Sequence, residues 1–145
     1  MSTGRALPAV CLTLATVTAM ALSACSSTSA LSLHTGDCLQ APSGDTVTDV
    51  EVVSCEHVHD LEVVGTFDLD QDALPPEGEL TSLAQQRCSQ IFADYVGTDV
   101  EQSVLDLTWL TPTQQSWTAS GDRTVACLAG GAGQSLSSTV RDSHR

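Results

Sequence analysis

Lysine is absent from this 145-residue chain, and the whole basic complement is five arginines against eighteen carboxylates. The formal net charge is -13 at pH 7. All the carboxylates follow residue 25 and Arg5 precedes it, so the later part is the more acidic. Such a surface repels nucleic acid and anionic headgroups, which excludes nucleic-acid binding and leaves basic protein patches, cations or amine-bearing polymers as charge-compatible partners. Aromatic residues make up only 3%, too few for a large oily core, so other stabilisers must contribute. The length suits one domain. No nucleophile elbow, zincin helix, phosphate loop or dinucleotide fingerprint occurs, so the sequence reads as a non-enzyme that needs no cofactor.

The beginning of the chain reads as an address. Arg5 and the terminal amine precede a near-continuous apolar run from Ala6 to Ala21, followed by Leu22-Ser23-Ala24-Cys25. That is the layout of a secretory signal peptide. Its end resembles the lipobox of bacterial lipoproteins, cut before a cysteine that carries a diacylglyceryl thioether. Residues 1–24 are therefore expected to be removed, with Cys25 lipidated and residues 25–33 serving as a tether. The flexible part, Ser26 to Ser32, has a reach on the order of 15 Å. The expected location is the extracytoplasmic face of the cell membrane, through the lipid anchor.

With Cys11 removed and Cys25 acylated, Cys38, Cys55, Cys88 and Cys127 remain, an even number in an oxidising compartment. Three pairings are open. Chain order favours Cys38–Cys55 and Cys88–Cys127, closing loops whose chain-entropy contributions are roughly 3 and 4 kcal/mol.

Hydropathy periods give an α+β fold: a small antiparallel-rich sheet with one main packed helix and a short one, stapled by two disulfides. Short strands are expected within His34–Gln40 and Val47–Cys55, with a turn at Ala41–Gly44. Leu61–Asp68 alternates as a half-buried strand, with Leu61, Val63 and Phe67 inward and Glu62, Val64 and Thr66 outward. The acidic run of Asp68, Asp70, Asp72, Glu77 and Glu79 lacks the glycine and terminal glutamate of a calcium loop and reads as a solvated segment. Leu80, Leu83, Ala84, Cys88, Ile91, Phe92 and Tyr95 follow helical spacing, predicting a helix over about 79–96 capped by Gly97. Val104–Leu110 alternates as a strand. Thr111 as N-cap with Gln114 predicts a short helix over about 112–119, and Arg123–Ala129 reads as the last strand. Residues 130–145 are rich in glycine and serine, lack apolar period and are expected to be disordered.

Gly36-Asp37-Cys38-Leu39, a valine strand ending in Cys55, His59 before Glu62-Val63-Val64, Cys88 and Phe92 ahead of Tyr95-Val96-Gly97, Pro112 before Trp117, and Gly121-Asp122-Arg123 before Val125 and Cys127 together resemble the septum-formation domain family. That family occurs in exported and membrane-tethered actinobacterial proteins. The resemblance spans about residues 34–129. It implies a role in cell division or envelope assembly, with envelope or division proteins as partners, and it supplies no catalytic residues. Val58 stands where many members carry proline.

In an extended chain Cys55, His57 and His59 would face one way and offer a zinc or copper ligand set. An oxidised Cys55 removes the thiolate, and a turn would spend a ring on backbone carbonyls, so no metal is expected; His57 and His59 are weak candidates only. Trp117, Asp122 and Arg123 read as structural or binding residues, with a core anchor and an ordered turn as the simpler roles. The resulting expectation is an extracytoplasmic lipoprotein acting as an interaction module in septum formation, with an exported ligand- or metal-binding sensor as the alternative.

Overall fold

The computed structural model describes residues 27–29, 32–41 and 49–145. The expected signal peptide, Cys25 and most of the 41–44 turn lie outside the described residues. The elements are β1 (Ser27–Ser29), β2 (Cys38–Leu39), β3 (Asp49–Val53), β4 (Leu61–Asp68), α1 (Glu77–Val96), a 3-10 turn (Val100–Gln102), β5 (Asp106–Leu110), α2 (Gln114–Ser120) and β6 (Thr124–Gly130). The strands form one antiparallel sheet in the order β1-β3-β2-β4-β6-β5. The architecture is α+β with two disulfides, as the sequence pattern predicts.

Strand β6 explains the layering. Val125, Cys127 and Ala129 belong to the larger core beneath α1, whereas Ala126 and Leu128 belong to a second cluster with Leu33, Leu39, Val50 and Val63. Alternating residues of one strand thus feed cores on opposite faces, as the period of two requires. The five aromatics all gather in or against the larger core, as Phe67, Phe92, Tyr95, Trp109 and Trp117, and the second cluster is aliphatic. The disulfides join elements side by side: Cys38–Cys55 ties β2 to the segment after β3, and Cys88–Cys127 ties α1 to β6. Both are the pairings that chain order favours.

α1 begins at Glu77 with Pro76 as N-cap, two residues before the expected start. Pro76 has no side-chain oxygen to accept from the first-turn N–H groups, and Glu77 and Glu79 meet the positive end of the helix instead. Gly97 ends it at φ 88 in the left-handed region, and its N–H donates to Ala93 O.

Five expectations need correction. The inner part of strand β4 is buried on both faces, Val64 beneath α1, Glu62 under Tyr95, Thr139 and Val140, and Val63 in the second cluster, so Glu62 and Val64 are inward, not outward. A β-bulge between Val63 and Gly65 then shifts Phe67 onto the helix face with Val64. The N-cap of α2 is Thr113 rather than Thr111, because Ser116 answers it in a reciprocal capping box in place of Gln114. β5 starts at Asp106, and Val104 is exposed. Ser27–Ser29, expected as free tether, pairs with β3, and Leu33 is buried in the second core.

The fifth correction is the largest. Residues 130–145 are not disordered; they run back across the domain as a strap. Leu136 and Val140 are buried, at 4% and 0% exposure. Two isolated anchors in an otherwise polar stretch produce no hydropathy period, so composition alone misreads them. The strap also completes α1, since Asp142 N–H donates to Tyr95 O and His144 N–H to Val96 O, satisfying carbonyls that a helix end leaves open.

Candidate functional site

The His57–His59 turn does not assemble a metal site. Cys55 is in a disulfide, His57 is exposed, and His59 is fully buried. The His59 Nδ1 lies 2.8 Å from the carbonyl of His57, which can only accept, so Nδ1 carries the proton. The two rings therefore part rather than converge. His59 also exchanges both backbone hydrogen bonds with Leu136 of the strap, at 3.0 and 2.7 Å. Cys38, Cys55 and Glu62 lie within 4.8 Å of one another, but the sulfurs are bonded to each other and present no thiolate.

Glu62 is the polar centre that sequence reasoning missed. Its carboxylate is fully buried and accepts from the Tyr95 hydroxyl at 2.7 Å, the Thr139 hydroxyl at 2.6 Å and the Val140 N–H at 2.7 Å. Three donors at charge-assisted distances offset its removal from water. Burial first, and then the hydrogen bond and charge of Glu62, raise the Tyr95 hydroxyl above its ordinary pKa. Arg141 covers the Tyr95 ring at 4.4 Å. Gly36 packs beside both, at φ 97, so the first glycine of the Gly-Asp-Cys motif holds a backbone shape that a side chain rarely adopts. The available signal was a lone Glu among apolar residues on both sides, together with the chain's single Tyr.

Trp117, Asp122 and Arg123 take the structural roles. Trp117 is buried in the larger core. Arg123 stacks over its ring at 3.6 Å and donates to the carbonyls of Trp117 and Asp122. Asp122 accepts from Ser116 Oγ and from Thr124 N–H, tying the end of α2 to the start of β6. Asp70 and Asp72 are exposed, while Asp68 accepts from Thr124 Oγ1 at 2.8 Å.

A groove of about 460 Å³ is bounded by Ala41, Asp60 and Leu61 on one side, Asp106 and Thr108 on the other, and the 130–135 segment. Asp60 accepts from Ala41 N–H and Ser135 Oγ, and Asp106 is exposed. No basic side chain lines it. Arg87, Arg123 and Arg141 each stack on an aromatic ring, and the one side-chain ion contact among the described residues is His34–Asp37.

Residues 13–127 match the sequence profile of the family described as Septum formation. The chain belongs to the septum-formation family. Neither a curated protein nor a solved structure matches it. The family match takes in both disulfides, Glu62, Tyr95 and the Asp122–Arg123 turn, and it stops at Cys127, just before the strap.

Proposed function

We propose that this protein is an extracytoplasmic lipoprotein, tethered to the membrane through Cys25, that acts in septum formation by binding a basic partner rather than by catalysis. The observation that carries the reading is a septum-formation domain closed by two disulfides. Such bonds persist outside the cytoplasm, where the apolar run and Leu-Ser-Ala-Cys ending would direct the chain. The polar clusters that sequence singled out are occupied with folding, which favours binding over chemistry: Asp122 and Arg123 fix a turn, and His59 is buried. What faces outward is an acidic surface whose groove carboxylates have no basic partner within the described domain. Complementary charge at that groove steers a basic envelope or division protein to it.

Photocrosslinkable residues at Asp106 and Thr108, in cells that are dividing, test the reading. They are expected to capture envelope or division proteins with a basic contact surface, and Asp60→Asn/Asp106→Asn is expected to reduce that capture most at low salt, where the charges are least screened. Crosslinks to cytoplasmic proteins alone would contradict it.

A further inference from the structure

The strap is built like a bound peptide. Of residues 134–145, Leu136 and Val140 are buried and Ser143 is half-buried, whereas the others are exposed. Its contacts are spaced anchors. Leu136 pairs with His59, Thr139 and Val140 donate to Glu62, Arg141 covers Tyr95, and His144 closes on Gly97 and Val96. The receiving surface is β4, the end of α1 and the His59 turn, all inside the family match, whereas the strap lies outside it. The two join through the Gly131–Gln134 turn, mostly exposed, with Ala132 and Gly133 at positive φ.

The fit is incomplete in a telling way. Among the described residues, two buried polar side-chain atoms have no hydrogen-bond partner: His59 Nε2 and Ser143 Oγ. The first belongs to the receiving surface and the second to the strap. With the proton on Nδ1, Nε2 is an acceptor that the strap leaves unmet. A buried acceptor without a donor weakens binding, and a ligand that supplies one binds better.

We propose that the Glu62–Tyr95–His59 seat is a peptide-binding site, occupied in cis by residues 136–144, and that an extended segment of a partner protein displaces the strap. The partner segment carries a β-branched apolar residue in the Val140 position followed by a basic residue over Tyr95, and it offers a hydroxyl or amide donor to His59 Nε2. A basic residue in that motif suits an acidic domain. The proposal rests on the interaction-module reading for its biological meaning. Its test uses purified protein alone, so its failure would leave septal localisation and the acidic groove untouched.

The full mature chain is prepared with a specific protease site in the 131–134 turn, disulfides intact. After cleavage, a fluorescent peptide of residues 134–145 is expected to exchange in and bind saturably, one per domain. The peptide with Val140→Asp or Arg141→Ala is expected to bind at least about tenfold more weakly, a loss of about 1.4 kcal/mol. The uncleaved chain is expected to take up the peptide on the order of 10²-fold more weakly, since its own strap competes at high effective concentration. A second form, the uncleaved chain carrying Val140→Asp, is expected to accept the wild-type peptide, because its own strap is unseated. Collapse of the domain on cleavage, retention without exchange, or binding indifferent to Val140→Asp would overturn the proposal.

Discussion

At the scale of single residues, the pair Glu62–Tyr95 sets a measurable pH dependence. Tyr95 has a folded-state pKa raised by burial and by Glu62. The neutral phenol is the form the fold prefers, so the stability it contributes is complete below the unfolded value of about 10 and is lost as pH rises through the higher folded value. The system is unusually clean. The chain has one tyrosine and no lysine, and four of its cysteines are in disulfides. Denaturant unfolding between pH 8 and 12 is expected to show a wild-type loss that Tyr95→Phe does not. At pH 8 the Phe variant is expected to be less stable by about 1.5–3 kcal/mol, the scale of a hydrogen bond to a charged group. A tyrosine absorbance titration centred at or below about 10 would contradict the assignment. Residue identity alone hid this site. Glu62 occupies a polar slot in an apparently amphipathic strand, and only the packing of the α1 end and the strap over β4 reveals that it is buried.

Elements with strong local signals were legible, and those defined by distant partners were not. α1 carries a three-and-four apolar spacing and a terminal glycine, and it forms within two residues of expectation. β4 ends where its alternation suggests, yet its bulge at Val63/Gly65 has no local signature beyond the glycine, whose Cα hydrogens lie where a side chain would strike Ile91. The strap shows the limit most clearly, since its burial depends on a seat assembled from β4, α1 and the His59 turn. The disulfides differ in their surroundings too. Cys88 and Cys127 are fully buried, whereas Cys55 is partly exposed. Under graded thiol reductant, alkylation and mass mapping are expected to find Cys38 and Cys55 free first, with Cys88 and Cys127 protected until the domain unfolds. Removing the buried bridge as Cys88→Ala/Cys127→Ala is expected to cost about 4 kcal/mol, against about 3 for the other pair, by loop length. Simultaneous reduction of both bridges would show that the core does not shield the second.

At the scale of the whole molecule, an acidic, disulfide-closed domain follows a proposed lipid anchor at Cys25. Charge and cysteine spacing were readable from the sequence; the division of labour was not, because only the fold shows that Arg87, Arg123 and Arg141 stack on rings and that no basic side chain lines the groove. Two or more acyl chains hold a protein to a bilayer far more firmly than one. Metabolic labelling with a fatty acid is expected to mark the wild-type protein and not Cys25→Ala, which is expected to leave the membrane fraction; equal labelling of the two would end the anchoring account.

The most direct measurement places an export-competent fluorescent tag in the exposed 70–73 segment and follows it through the division cycle. Enrichment at the forming septum is expected, with depletion of the protein delaying or misplacing septa. Uniform signal around dividing cells, together with normal septa after deletion, would contradict it.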